Sequence, residues 1–394
     1  MNERVAIVGL GWAGFRPLTP DQSYKELMYG AAVRAYADAG VDARRDVESF
    51  VTVAEDFHEG TSIFDEYVPD QLGAVLKPVH TIGGDGLHGM AAAYMLVRTG
   101  QFEVVAVEGH SKASNILTLP QITAHAQDPV LNRPLCLNTH FVAGLEMNRY
   151  LHQTGTTREQ CAAVVVKNRR NALRNPSASY GAELTLAEVV DGPPLAWPLG
   201  RRETAEHVDG SVVFVLASEA KARHLTDRPV WIRGMGWSND SPSLENRDWA
   251  QALYAREAAR MAYRQAGIRH PLGEIDFLEV DDTFAYKELQ ALEALGFCDP
   301  GSAGALTESG VTAPDGELPV NVSGGSLGLG YLLDATGLAR ALEVALQLRG
   351  EAGSRQLEGV EVGLAQSWRG VPTASGAVAI LSNCAATERG EDHG

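Results

Sequence analysis

The stretch VAIVGLGWAG, residues 5–14, carries G-x-G-x-x-G at Gly9, Gly11 and Gly14 behind an apolar, strand-like run. In letters this is the dinucleotide fingerprint, which requires a helix to open directly on the glycines so that its N-terminus meets the pyrophosphate. Here the chain continues FRPLTPDQS, with Pro17 and Pro20, and helical periodicity starts only near Ser23. The motif lacks its context, and the dinucleotide reading is set aside. A second occurrence explains the glycines better. VAIVGLGW (5–12) recurs as VWIRGMGW (230–237), AYADAGV (35–41) as AYRQAGI (262–268), and VESFVTVAEDF (47–57) as IDFLEVDDTF (275–284). The offsets are 225, 227 and 228 residues, so three ordered matches hold one spacing. Each set reads as a period-2 strand, an amphipathic helix closed by glycine, and a buried strand. The chain is a tandem duplication of a β-α-β unit.

The repeat extends further. TIGGDGLHGMAAAYMLVRTG (81–100) corresponds to VSGGSLGLGYLLDATGLARALEVALQLRG (322–350), each a glycine-rich turn opening a helix, with a strand after it. In the second copy, Tyr331 and Asp334 are expected in the first helical turns. Alternating strands and helices predict α/β layers with mostly parallel or mixed sheets. The expected division is 1–225 and 226–394, with an irregular loop domain at about 115–200 that contains the helix-forming piece TREQCAAVVVKNRRNALRNP.

Composition narrows the function. At 394 residues, 45% hydrophobic and 21% charged, the chain has ordinary globular proportions and room for two domains. A net charge of −17 argues against a nucleic-acid partner, because phosphate backbones select clustered Lys and Arg. Cys136, Cys161, Cys298 and Cys384 lie far apart, without zinc spacing, so no metal site and no disulfide framework is expected. No apolar run reaches the ~18 residues of a membrane span, and RVAIVGLG does not read as a signal peptide. A cytoplasmic protein without a membrane segment is the expectation.

Three segments together resemble the thiolase superfamily, especially its sterol-carrier-protein-X and archaeal thiolase branch. TREQCAAVVVKNRRNALRNP resembles that branch's loop-domain helix. VDDTFAYKELQALEALGFCDPG resembles its H-D-x-F segment, and LPVNVSGGSLGLGYLLDATG its N-x-S-G-G…G-H-P-x-G-A-T-G block. The resemblance runs over nearly the whole chain. It implies the thiolase fold, two duplicated halves stacked as αβαβα layers, and a homodimer. The departures are specific. Where the family keeps its nucleophilic cysteine, this chain reads Gly83-Gly84-Asp85-Gly86; the G-H-P histidine is Tyr331, and the H-D-x-F histidine is Asp281. The C-terminal loop reads Gln366-Ser367-Trp368-Arg369-Gly370. A glycine forms no acyl-enzyme, so thiolase chemistry is not expected.

This altered pattern resembles the cysteine-less thiolase-like aldolases of steroid side-chain degradation, which carry tyrosines in the places of Tyr331 and of Tyr286 in Asp282-Thr283-Phe284-Ala285-Tyr286. The resemblance implies a carbon–carbon lyase cleaving a 3-hydroxyacyl-CoA into a shorter acyl-CoA and a ketone or aldehyde. Retro-aldol cleavage needs a base for the hydroxyl proton, stabilisation of the enolate and an acid for the α-carbon. Tyr286, Tyr331 and Asp282 are the catalytic candidates, and which tyrosine is the base stays open. Gly83, Gly84, Asp85, His88, His110 and Gly325 are pocket or oxyanion candidates. Each has a plainer reading: a buried tyrosine packs in the core, Asp85 and Asp282 cap helices, and His110 ends a strand. Lys167, Arg169 and Arg170 form a basic run that is either a solvated face or a contact for coenzyme A phosphates. Coenzyme A is expected as part of the substrate, with no covalently bound cofactor. The resemblance also implies a small zinc-ribbon/OB-fold partner subunit. The alternatives are an acyltransferase lacking the cysteine and a non-catalytic acyl-CoA-binding scaffold.

Overall fold

The computed structural model describes residues 4–59, 63–116, 118–241, 243–370 and 373–385. Eleven strands form within them: β1 (Val5–Arg16), β2 (Ser49–Val53), β3 (Val79–Ile82), β4 (Val104–Ser111), β5 (Pro194–Ala196), β6 (Leu199–Gly200), β7 (Asp209–Ser218), β8 (Val230–Asn239), β9 (Phe277–Glu279), β10 (Val362–Trp368) and β11 (Ser375–Ser382). β5 and β6 make a small hairpin; the other nine run in the order β3-β2-β4-β7-β1-β8-β11-β10-β9.

The duplication predicted from the repeats is visible in this order. Reading outward from the centre, the first half runs β1-β7-β4-β2-β3 and the second β8-β11-β10-β9. The second half's fifth position is a parallel bridge between Leu278 and Val320. Among the named strands of this sheet, β3-β2-β4 and β10-β9 pair in parallel, and the intervening pairs are antiparallel. Among the described residues the strands of the two half-sheets pair with each other at Ala6↔Trp231 and Ile7↔Val230, in the short β1–β8 ladder.

The helices Gly86–Arg98 and Thr336–Arg349 touch strands of both halves and form the central layer, with Leu87, Met90 and Val97 meeting Leu338, Leu342 and Leu346 in one apolar cluster. The helix Tyr24–Ala39 covers the outer face of the first sheet and Leu253–Ala266 that of the second, giving five αβαβα layers. No helix among the described residues is long and apolar enough to cross a membrane.

The G-x-G pairs set these outer contacts. β1 continues through Gly9, Gly11 and Gly14 to Arg16, with irregularities in its pairing at Ile7/Gly9 and Gly14/Arg16, and no helix opens on the glycines. A Cβ on Gly9 or Gly11 would overlap the carbonyl oxygens of Ala35 and Ala31, and one on Gly234 or Gly236 those of Ala262 and Ala258. In both halves, glycine lets the helix backbone lie directly on the strand.

One expectation is corrected. The helix Gly325–Leu329 stops at Gly330, Tyr331 lies outside any helix, a 3₁₀ turn covers Leu333–Ala335, and the long helix begins only at Thr336. Gly330 has φ +120°, and a Cβ there would overlap Val208. That approach pulls the chain onto the segment before β7: Tyr331 N–H donates to Glu206 O at 2.8 Å, and Val208 N–H to Tyr331 O at 3.0 Å.

Candidate active site

A cavity of about 250 Å³ opens where β2, β9 and β10 end. Ligands in open α/β sheets collect beyond the carboxyl ends of strands, where loops from several strands converge. Here Glu55 and His58 follow β2, Thr283 and Phe284 follow β9, and Trp368 to Gly370 end β10. His140, His207, Tyr331 and Leu333 complete the polar and apolar wall.

The polar groups are coupled. His58 Nδ1 lies 3.0 Å from Asp334 Oδ1, and the other oxygen of Asp334 accepts the Glu55 N–H at 2.9 Å. Arg369 pairs with Glu55. The His207 and Tyr331 rings lie 5.3 Å apart, and a Cβ on Gly370, which has φ +97°, would stand 3.4 Å from the Tyr331 hydroxyl. Burial, followed by the carboxylates of Asp281, Asp334 and Asp85, raises the Tyr331 phenol, so it stays protonated. Burial and the neighbouring His58 and His140 lower His207 to about 4, which keeps it neutral. Burial raises Glu55 despite the opposing charge of Arg369.

The structure brings Tyr331 to this cavity and places Tyr286 and Asp282 behind its wall. Tyr286 is fully buried. Its hydroxyl donates to Glu146 at 3.1 Å, and its ring stacks on Phe284 at 6.1 Å. Asp282 accepts the N–H groups of Ser326 at 2.6 Å and Leu327 at 3.1 Å, together with the Asn168 amide at 2.9 Å. It caps the turn that Gly325 opens, and Gly325 N–H donates to Ser323 Oγ, so those donors serve the fold. Burial raises Asp282 to about 6. Asp281 is paired with Arg340 at 3.1 Å.

Asp85 caps its own helix through Leu87 N–H at 3.0 Å and also accepts Gly337 N–H at 2.8 Å, joining the openings of both central helices. Burial raises it to about 6. Gly83 sits beside Arg369 and Glu55, at the cavity's edge. Gly84, at φ +144°, packs against the His88 ring, and burial and Arg369 lower His88 to about 4. His110 is elsewhere: its ring forms a three-ring cluster with Tyr24 and Phe64, with Nδ1 3.2 Å from Glu108.

The basic run divides. Lys167 is engaged by buried Glu288 at 2.7 Å and by Val320 O. Arg169 donates to Tyr180 O and lies over the Tyr180 ring. Arg170 is exposed, paired with Glu183 at 3.0 Å, on a groove that shares no lining residue with the cavity. A different groove, lined by Ser114, Ile116, Leu195 and Arg201, shares Leu119, His140, Thr204, Ala205 and His207 with the cavity and is continuous with it.

Sequence reasoning passed over His58, His140, His207, Glu55 and Arg369. A signal for two of them existed. The repeat sets AEDF after β2 against DDTF after β9, so the first copy's strand end deserved the same scrutiny as the second's. His140 and His207 lie outside the repeat and carry no such mark. None of the four cysteines lines the cavity.

Residues 236–383 match the family described as thiolase C-terminal domain-like. The chain is 32% identical to an acetyl-CoA acetyltransferase of Methanothermobacter thermautotrophicus, over 91% of this chain and 94% of the relative. It is 29% identical to the 17-hydroxy-3-oxo-4-pregnene-20-carboxyl-CoA lyase of Mycobacterium tuberculosis, over 95% of this chain and 98% of that enzyme. Among solved structures, the Ltp2-ChsH2(DUF35) aldolase is similar with a TM-score of 0.83 and 27% identity, over 96% of this chain and 97% of that one.

Proposed function

The chain belongs to the thiolase superfamily, and from that premise we propose that it is a carbon–carbon lyase performing retro-aldol cleavage of a 3-hydroxyacyl-CoA. One observation carries the reading: the cavity is lined by a tyrosine and by a histidine that pairs with the buried Asp334, while none of the four cysteines lines it to form an acyl-enzyme. Cleavage between C2 and C3 needs a proton removed from the 3-hydroxyl and one delivered to C2, with no covalent intermediate. Tyr331, held protonated, is the proton donor in this reading. Tyr286 acts from behind the wall, fixing Phe284 and Glu146. The likeness to the Mycobacterium tuberculosis lyase and to the Ltp2 aldolase supports the same class of reaction.

The thioester arm has a route in the groove continuous with the cavity. Arg201, exposed on that groove, is the cation we assign to coenzyme A phosphates in preference to Lys167, whose charge is already matched by Glu288. The Ltp2 assembly contains ChsH2, a DUF35 protein, and we extend to this chain a small partner of that type.

The acetyltransferase relative favours a second reading, acyl transfer without cysteine. Incubation of the chain, alone and with such a partner, with branched 3-hydroxyacyl-CoA compounds separates the two by mass spectrometry. A shorter acyl-CoA plus a ketone or aldehyde, without consumption of free coenzyme A, establishes the lyase. Consumption of 3-ketoacyl-CoA together with free coenzyme A establishes transfer, and thioester binding with neither reaction leaves the scaffold.

A further inference from the structure

We propose that Arg369 is the cation that receives the thioester oxygen as the substrate becomes an enolate, beside Tyr331, which protonates C2. The inference rests on the lyase reading and adds to it the group that holds the developing negative charge.

The backbone donors that the sequence suggests for this task are engaged elsewhere. Gly325 N–H is taken by Ser323 Oγ at 3.1 Å, and Asp282 accepts the N–H groups of Ser326 and Leu327. At the opening of the first central helix, Asp85 accepts Leu87 N–H at 3.0 Å. Both helix openings thus spend these donors on carboxylates of the chain itself, and the positive charge comes from a side chain.

Arg369 is placed for it. Among the described residues that line the cavity it is the sole lysine or arginine. It directly follows β10, where its N–H donates to Ser375 O at 3.0 Å. The next residue is Gly370, whose Cβ would stand 3.4 Å from the Tyr331 hydroxyl. The proton donor and the cation therefore share one stretch of the wall. His207 is held neutral by burial, so it brings no charge of its own.

The guanidinium is oriented without being used up. Its Nε donates to Glu55, and Nη2 pairs with the same carboxylate. Glu55 is fixed in turn, its N–H donating to Asp334 at 2.9 Å. Nη1 has no partner among the described residues, and 33% of the Arg369 side chain is exposed against 10% of Glu55. A guanidinium carries five donors and keeps its charge at every working pH. Glu55 offsets the cost of holding that cation before substrate arrives. The aromatic and aliphatic neighbours Phe284, Leu333 and Trp368 line the same cavity, and so dry a surrounding strengthens a charge-assisted hydrogen bond.

In the step itself the 3-hydroxyl O–H bond breaks and the C3–O bond becomes a carbonyl. The C2–C3 pair moves onto C2 and the thioester oxygen, where the new charge faces Arg369 Nη1. C2 then takes the proton of Tyr331 Oη, and the proton from the 3-hydroxyl replaces it on Tyr331. The products are the carbonyl compound and the shorter acyl-CoA, with no net change in protons. The ground-state thioester oxygen carries only a partial charge. The contact therefore strengthens as the bond breaks, which raises kcat more than it tightens binding.

The test compares wild type, Arg369→Gln, Glu55→Gln and the double variant Arg369→Gln/Glu55→Gln. The double change removes the carboxylate that Arg369→Gln leaves unpaired, so the loss of the cation is measured in a protein without a stranded buried charge. Two rates are read: cleavage of a branched 3-hydroxyacyl-CoA at saturating substrate, and exchange of the C2 protons of the acyl-CoA product with D2O. The second forms the enolate without breaking a carbon–carbon bond. Arg369→Gln and the double variant should lower kcat by about 100- to 1,000-fold, the range for one lost oxyanion donor. Exchange should slow alongside, with affinity for the acyl-CoA product within about threefold of wild type. Glu55→Gln keeps the cation and should stay at least about tenfold faster than the double variant. Full cleavage or wild-type exchange without the arginine, a loss confined to KM, or equal losses in Glu55→Gln and the double variant overturns the assignment. In each case wild-type cleavage keeps the lyase reading intact. A wild-type protein that binds the thioesters and cleaves none overturns the lyase reading, and this assignment with it.

Discussion

The Asp85 carboxylate joins the two copies of the duplicated unit, accepting Gly337 N–H at 2.8 Å from the second central helix while capping its own helix at Leu87. Where the superfamily resemblance calls for a nucleophile, this chain has a brace between helix openings.

Asp85→Ala leaves buried N–H groups of both helices without an acceptor, at about 1–3 kcal/mol for each unsatisfied group. Gly337→Ala reaches the same contact from the other side, because its Cβ would overlap the Asp85 carboxylate. Urea unfolding should show each variant destabilised by at least about 2 kcal/mol. A loss below about 0.5 kcal/mol, the range of ordinary surface changes, would show that the brace is not structural.

Gly11→Ala and Gly236→Ala test the packing explanation of the G-x-G pairs. Each adds a methyl into a helix carbonyl, at Ala31 and at Ala258 respectively. The helix must lift from its strand, at a cost of roughly 1–3 kcal/mol or more. Wild-type protein titrated with NAD should give no binding heat; saturable binding would restore the dinucleotide reading.

Behind the wall, Lys287 Nζ lies 2.5 Å from Glu146 and 4.2 Å from the centre of the Trp368 ring. Lys287→Met strands a buried carboxylate and should cost about 3–5 kcal/mol. Tyr286→Phe removes one hydrogen bond to the same carboxylate and should cost only about 1 kcal/mol. In turnover, Tyr331→Phe should be far the more severe of the two tyrosine changes. Equal losses of kcat in Tyr286→Phe and Tyr331→Phe would place both hydroxyls on the substrate.

The buried His207 gives a pH signature. Its folded pKa, about 4, lies below the ordinary value of 6.5, so the unfolded chain binds more protons between those values. Its stabilising contribution is full above pH 6.5 and is lost as pH falls through 4. The interval of 2.5 units corresponds to roughly 3 kcal/mol. Asp85 and Asp282, both raised to about 6, act in the opposite sense, so the test is a difference. Wild type should lose more stability than His207→Gln between pH 6.5 and 4, and parallel pH profiles would refute it.

The duplication was legible because it rests on local chemistry. Period-2 and helical patterns repeat at offsets of 225, 227 and 228 residues, and Gly40 and Gly267 close matched helices in left-handed conformations. These features fix elements and their order, and the order leaves few ways to layer two β-α-β units. The absence of a cysteine at Gly83–Gly86 was equally plain from the letters.

Which side chains face the cavity was a tertiary matter. Tyr286 and Tyr331 occupy equivalent-looking positions in the sequence, yet a helix turns one toward Glu146, and the break at Gly330 delivers the other to the cavity. His58 and Asp334 are 276 residues apart, and no spacing rule links them; they meet because β2 ends beside the opening of the second central helix. Sequence periodicity records which face of an element is apolar. The direction of one polar side chain depends on what packs across from it, and that is settled only when the two halves close on each other.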